Sequence, residues 1–445
     1  MPKLNPGDYY RLPWNLNDNV LAWLEPTKRC NLYCEGCYSR NDPKSDKTLE
    51  QIRADLEVFR RNRRIDSVSI AGGDPLVHPD IVEIVRMVRH DFGYKPMINT
   101  NALALTPELV RDLKRAGLFG FTLHIDSSQR RAGHQDHTEA SLNNLRLHYA
   151  EMVAAEGDIS VAFNATIFRH TLCDVPVMMD WAHQHIDVVH GMVFVLFRTT
   201  RAAEHDYFAG GQPVDVEKPI YFGQARNPSP IMADEVVATI RERHPEFEPS
   251  SYLGGTHDPQ SLKWIVSVRV GTKDRIHGYF GPRFTEALQS GHHLLFGRYM
   301  AYVNPKSLQH GRGTAAVLAP FDPGALRAAN GYLRSVIENP RVLLQRMHMQ
   351  TVIIIQPVDF LADGSANMCD GCPDMTVHDG QLVWSCRLDE RMEHGCWLTA
   401  APRGDCVGLP GASRRRCDSG LPGAKIPSVV PVVPAVPRTD PPSNR

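Results

Sequence analysis

The chain has almost no net charge. Its 445 residues carry 49 lysines and arginines against 50 aspartates and glutamates, a formal balance of −1. That balance speaks against a nucleic-acid or anionic-membrane partner held by bulk electrostatics. Long apolar runs are also missing. The longest, Val352 to Ile355, ends at Gln356 and Pro357, far short of the ~20 residues a membrane span needs. The stretch from Met1 to Tyr10 carries no apolar signal core, so a cytoplasmic location is expected. There is no internal repeat. The ten cysteines are clustered rather than spread, which fits metal-bound thiols in a reducing compartment better than a disulfide framework. The hydrophobic content of 42% is enough for a sizeable core, and the length suggests two folded units plus a tail.

What is present starts with Cys30, Cys34 and Cys37, spaced C-x3-C-x2-C. A tight loop of this kind can hold three irons of a 4Fe–4S cube, one thiolate each, and leave the fourth iron open. Closed tetrahedral sites want four protein ligands. A half zinc site or redox thiols is the alternative reading. Farther along the chain, Ser69 to Pro75 contains Gly72, Gly73, Asp74 and Pro75, a Gly-Gly-acid-Pro turn at the end of an expected strand.

Residues 18–197 alternate strand-like and helix-like signals, the pattern of a parallel βα repeat. Strands are expected at Asn19–Glu25, Asp66–Ala71, Pro96–Asn99, Phe119–Ile125, Ile159–Ile167 and Val188–Phe197. Thr48 and Gln51 have capping-box spacing ahead of Leu49, Ile52, Leu56 and Phe59. Pro79 suits a first helical position and Thr106-Pro107 opens another helix. Further helices are expected at Ala140–Ala154 and Val175–Gln184. Six such units make an open, partial version of the eightfold barrel, whose ligands sit at the carboxyl ends of the strands. Beyond it, helices are expected at Ala233–Glu242 and Pro323–Ile337 and a strand at Leu262–Val270. The histidines of this region read as surface or core residues, with His292-His293 the pair nearest to a substrate role.

The two motifs together resemble the radical S-adenosylmethionine (radical SAM) superfamily. The resemblance implies an α/β fold: a partial (β/α)6 barrel with a C-terminal α+β extension. It also implies a 4Fe–4S cluster on the catalytic cysteines Cys30, Cys34 and Cys37, and S-adenosyl-L-methionine on its open iron. By the same resemblance Gly72, Gly73 and Asp74 line the methionine end, with Asp74 standing where the family has Glu. His124 and Asp126 at the end of the fourth strand are the ribose candidates, Asp126 the better because a carboxylate accepts from both hydroxyls. A buried hydrogen-bonded pair is their alternative reading. Asn101 and Asn164 are further cofactor candidates. Where the family has an aromatic before the third cysteine, this chain has Gly36, so Tyr38 is expected at the adenine. An unidentified organic substrate and a low-potential electron donor such as flavodoxin or ferredoxin complete the expected partners. No nucleic acid and no transmembrane segment are expected.

A second group comprises Cys369, Cys372 and Cys386, spaced C-x2-C-x13-C, with Cys396 ten residues on. A knuckle followed by a short hairpin, here turned at Asp379-Gly380, is how small proteins wrap a tetrahedral metal or Fe–S centre. Zinc fits the spacing as well as iron does. Many radical SAM proteins append a SPASM or twitch extension with auxiliary clusters, so the resemblance implies a second 4Fe–4S cluster on Cys369, Cys372, Cys386 and Cys396. The organisation expected is a lead-in (1–17), the barrel (18–197), a substrate-shaping extension (198–360), the auxiliary region (361–401) and a disordered proline-rich tail (402–445). Cys173 reads as a lone thiol, and Cys406 and Cys417 fall in the tail.

Three functions are open. The first is a radical enzyme that abstracts hydrogen from a small-molecule, lipid or peptide substrate in biosynthesis. The second is a SPASM-type peptide-maturation enzyme, and the third a non-catalytic Fe–S or zinc scaffold. With only 29 residues before Cys30, cobalamin-dependent methyl transfer is not expected. The segment Arg346 to Met349 has a slight likeness to enzymes that join lipid chains.

Overall fold

Local capping sets the βα repeat. In the computed structural model, which describes residues 4–134, 138–197, 205–214 and 231–403, Thr48 accepts from the Gln51 backbone while the Gln51 side chain returns to Thr48. This box starts α1 (Leu49–Asn62), which follows β1 (Leu21–Thr27). The units continue with β2 (Ser67–Gly72), α2 (Ile81–Arg86), β3 (Lys95–Thr100), α3 (Pro107–Arg115), β4 (Gly120–His124), α4 (Asn143–Glu156), β5 (Ser160–Ile167), α5 (Val175–Gln184) and β6 (Gly191–Leu196). Thr106 caps α3 through the Leu109 amide. The second helix begins at Ile81, not at Pro79, because the Gly-Gly-Asp-Pro turn runs on into a 3-10 turn over Pro75–Val77.

Strands β1 to β6 pair in parallel and in sequence order. A strand not expected from the sequence extends them. After α6 (Ala233–Arg243), β7 (Ser251–Leu253), β8 (Trp264–Gly271), β9 (Ile276–Tyr279), α7 (Pro282–Phe296), α8 (Gly311–Leu318) and α9 (Pro323–Glu338) comes β10 (His348–Ile355). It lies parallel to β6, with Thr351 opposite Gly191, and antiparallel to β8. The barrel sheet therefore has seven parallel strands, and the region following residue 197 is partly built into it. Residues 1–402 form one unit and 403–445 another; the tail from residue 404 lies outside the described residues.

Burial alternates along the strands. Val161, Phe163, Ala165 and Ile167 of β5 are fully buried against the outer helices. Ala162 of β5 is only partly so, and Asn164, Thr166, Val193, Val195, Ile353 and Ile355 likewise face the concave side half-buried. The concave wall is thus polar on β1 to β5 and apolar on β6 and β10. At the amino ends of the strands Tyr302 closes the lumen, its hydroxyl 3.5 Å from Ser69 Oγ and its carbonyl accepting from Lys95 at 3.0 Å. His293 pairs with Asp18 and His292 with the Arg298 carbonyl. Both histidines thus lie at the end opposite the cysteines, away from a substrate role.

The last part of the described chain opens with the hairpin β11 (Met375–His378) and β12 (Gln381–Trp384), turned at Asp379 and Gly380 with φ of 51° and 70°. It is followed by α10 (Leu388–His394) and β13 (Leu398–Pro402).

Candidate active site

Strand β1 delivers the chain into the cysteine loop, and the Gly-Gly turn after β2 lies directly on it. The Gly73 amide donates to Thr27 O at 2.8 Å and the Asp74 amide to Arg29 O at 2.9 Å. A Cβ on Gly73 would stand 2.2 Å from Arg29 O, so only glycine permits this approach. The other edge of the loop is held by the segment after β4: Glu35 N donates to Ser128 O and Arg130 N to Tyr33 O, both at 3.0 Å. The loop thus bridges two strand ends and holds Cys30, Cys34 and Cys37 half-buried at the barrel mouth. Burial pushes all three thiols up, Cys37 to about 11. Among the described residues no three His, Cys, Asp or Glu side chains close on a single ion. Three soft sulfur donors on one loop suit an iron–sulfur cube with an uncovered corner.

The polar wall offers a second test of fit. Glu25 Oε2, Asn99 Nδ2 and Asn164 Oδ1, at the ends of β1, β3 and β5, are buried without a hydrogen-bond partner. Buried polar atoms in native proteins are nearly always satisfied, so this wall matches a polar ligand in the mouth. Asn164 was expected there. Glu25 was not: the sequence reading treated it only as a strand end. The signal that locates it is a carboxylate two residues after Trp23, on the inward face of the strand.

The other expected residues converge on the mouth in different ways. Asn101 donates to Asn31 at 2.8 Å and approaches Cys30 Sγ at 3.7 Å. The Tyr38 hydroxyl accepts from Trp23 Nε1 at 3.2 Å and lies 3.4 Å from both Glu25 Oε1 and Gly72 O, which pins its ring beside the Gly-Gly turn. The carboxylate of Asp74 is used internally: it accepts from Thr100 Oγ1, Asn101 N and Leu76 N. Only its backbone remains to line a ligand.

Asp126 requires a correction. Its Oδ2 takes His124 Nε2 at 2.6 Å and Thr166 N at 2.7 Å, while Oδ1 takes the Ser128 amide and hydroxyl. Burial opposes its ionisation, but the imidazole and these donors outweigh it and set the carboxyl at about 2. With both oxygens occupied and the side chain fully buried, Asp126 does not reach a ribose. It holds His124, which is 27% exposed, and shapes the turn that braces the cysteine loop.

Gly36 has a structural reason. Its φ is +73°, and a Cβ there would lie 2.5 Å from the ring of Phe197. Phe197 stacks on Phe168 with centroids 4.8 Å apart. An aromatic pair from the ends of β5 and β6 fills the space that a larger residue at position 36 would need.

In the second group Cys369 and Cys372 are buried side by side. Their contact lowers the Cys369 thiol and raises that of Cys372 well above the usual thiol range. Cys386 lies close enough for its charge to act on Cys372. Arg63 and Asn19 fix the knuckle by donating to its carbonyls. Cys396, two residues beyond α10, is half-buried. The two groups are mechanically linked. Asp389 of α10 accepts from Lys28 at 2.7 Å and from the Arg40 amide at 3.1 Å, which clamps the first cysteine loop from the side of Cys386.

This geometry coincides with a family match. The profile of the radical SAM superfamily matches residues 24–182. The chain carries a radical SAM domain. It is 27% identical over 215 residues to the AdoMet-dependent heme synthase of Methanosarcina barkeri, covering 46% of this chain and 57% of that protein. It is 26% identical over 244 residues to the PqqA peptide cyclase of Gluconobacter oxydans, covering 47% and 63%. Among solved structures, methylornithine synthase matches with a TM-score of 0.34 at 14% identity, covering 52% of this chain and 63% of that one. The match spans less than two thirds of the length of each of these relatives.

Proposed function

We propose that the chain is a radical SAM enzyme that abstracts hydrogen from an organic substrate in a biosynthetic pathway. The observation that carries this reading is the Gly72-Gly73 turn seated on the loop of Cys30, Cys34 and Cys37, beside buried polar atoms of the barrel wall, Asn99 Nδ2 and Asn164 Oδ1, that make no hydrogen bond. Cys30, Cys34 and Cys37 hold a 4Fe–4S cluster, and the backbone of Gly72 to Asp74, with Asn101, Asn164, His124 and Tyr38, holds S-adenosyl-L-methionine. When bound, this pair supplies a 5′-deoxyadenosyl radical by reductive cleavage of the sulfonium.

The protein's part is positioning and exclusion of water. Asp126 fixes the His124 ring. The polar wall of β1 to β5 orients the cofactor. The apolar wall of Val193, Val195, Ile353 and Ile355 faces it across the lumen and suits the hydrocarbon part of a substrate. Tyr302 seals the amino end. A cluster held there would call for an electron donor of low potential, of the flavodoxin or ferredoxin kind.

A second reading is a peptide-maturation enzyme with an auxiliary cluster. It is favoured by the grouping of Cys369, Cys372 and Cys386 and by the Asp389–Lys28 clamp that joins this group to the first. The test is anaerobic reconstitution, an iron count and assay of 5′-deoxyadenosine after reduction. About eight irons and 5′-deoxyadenosine release are expected, and the Cys30, Cys34, Cys37 triple Ala variant should keep about four irons and release none. An unchanged iron content in that variant would sink the assignment.

A further inference from the structure

Ten of the fourteen large apolar side chains that stand exposed among the described residues fall between Leu294 and Leu344. The densest part is α8, α9 and the turn after them. On α9, Leu326, Leu333 and Ile337 recur at i, i+7 and i+11, a stripe about 16 Å long on one face of the helix. They are 47%, 56% and 81% exposed. This is not a loosened core. The opposite face of α9, with Ala325, Ala328 and Tyr332, is buried against β9, so closely that a Cβ on Gly278 would stand 2.8 Å from Ala328 Cα. The helix therefore has a second apolar face with no cover. Beside it α8 and the residue three beyond it contribute Val317 and Phe321, 70% and 66% exposed. Arg312 at the start of α8 donates to the carbonyls of Leu343 and Gln345, which ties in Leu344, 87% exposed.

The charge of this face is one-sided. Residues 311–346 hold five arginines, at 312, 327, 334, 341 and 346, and two carboxylates, Asp322 and Glu338. All five arginines are exposed. Asp322 is buried and spent on the amides of Gly281, Phe284 and Ala325. Glu338 pairs with Arg275 and Arg327 with Glu248, which leaves Arg312, Arg334, Arg341 and Arg346 outside the ion pairs of the described residues. The near-zero charge of the whole chain conceals this: the remainder is net negative. Apolar side chains interleaved with guanidinium groups complement an anionic bilayer surface. They do not complement themselves, since a twofold contact would set arginines against arginines.

We propose that α8, α9 and the turn to Leu344 dock the protein on an anionic membrane surface. The apolar side chains enter the headgroup boundary and the arginines meet lipid phosphates. No helix of the described residues is long and apolar enough to cross a membrane, so the attachment is peripheral. Helix α9 runs toward the amino ends of the barrel strands, where Glu338 pairs with Arg275, so docking leaves the cysteine mouth uncovered.

The test is co-sedimentation of the full chain with vesicles of phosphatidylcholine, with and without phosphatidylglycerol, alongside analytical ultracentrifugation without lipid. Binding is expected only to the anionic vesicles. Leu333→Ser with Ile337→Ser, and separately Arg334→Gln with Arg341→Gln, should each weaken it by roughly tenfold or more. Failure to pellet with anionic vesicles overturns the proposal. So does undiminished binding by both variants, which would move the contact to another segment such as Arg414 to Arg416. A dimer abolished by the apolar variant would make this a self-association face and overturn it as well.

Discussion

Asp126 shows how much a single carboxylate can do without touching a ligand. It carries four hydrogen bonds and orders the turn whose Ser128 carbonyl holds the cysteine loop. Asp126→Ala leaves buried donors unpaired, each worth about 1–3 kcal/mol. We expect the variant to lose stability and to reconstitute with less iron, whereas His124→Ala keeps its iron and binds S-adenosylmethionine more weakly. Iron analysis and calorimetry separate the two. Full iron with weakened binding in Asp126→Ala would restore a direct contact. The sequence placed His124 and Asp126 at the end of the fourth strand, where they lie. It could not show which was buried, because Thr166 lies forty residues away. Gly36 is a parallel case. Its absence of a side chain was visible, but the cause, Phe197, is distant in sequence. Gly36→Ala should cost at least about 1 kcal/mol from its positive φ plus the clash with Phe197. Gly36→Ala with Phe197→Leu should recover only the clash, as thermal melts of the two variants would reveal; full recovery would mean that the backbone is not strained.

Elements with local signals were legible. The Thr48 box, the Thr106 cap, α5 and the Asp-Gly hairpin are where their residues put them, because caps and turns are decided within a few residues. β10 was not legible: Val352 to Ile355 is a short apolar run, and its partners β6 and β8 are far away in the chain. The role of α10 was equally hidden. Nothing local marks Asp389 as the partner of Lys28, whose side chain is 9% exposed beside Glu25 at 3.8 Å. Asp389→Ala strips a nearly buried ammonium of its main partner and should destabilise the protein by about 3 kcal/mol. Lys28→Met with Asp389→Leu should recover most of that in chemical denaturation, since a well-packed apolar pair can replace a buried ion pair. If the single variant is as stable as the parent, α10 does not clamp the loop.

At the scale of the whole molecule, the seams between the barrel and the strands added to it contain two imidazoles, His277 buried and His190 half-buried. His190 sits where β6 begins. Its Nδ1 accepts from Val161 N at 3.0 Å, and its carbonyl accepts from Thr351 of β10. His277 lies on β9 under α9, its ring 5.4 Å from that of Tyr332. Burial, then the neighbouring His348, lowers His190 to about 4; burial, then Arg275, lowers His277 to about 4 as well. An unfolded histidine titrates near 6.5. Between these values the unfolded chain binds more protons than the folded one, so stability is lost as the pH falls. The stabilisation is complete above about pH 6.5 and is gone below about 4, at most about 3 kcal/mol for each ring. Carboxylates titrate over part of the same range, so the decisive measurement is a difference. The stability of the parent and of His190→Gln, followed by denaturant unfolding across this range, should converge as the pH falls, because the amide cannot be charged. Parallel curves would show that His190 already carries its proton in the folded state, and the seam would then owe its acid sensitivity to other groups.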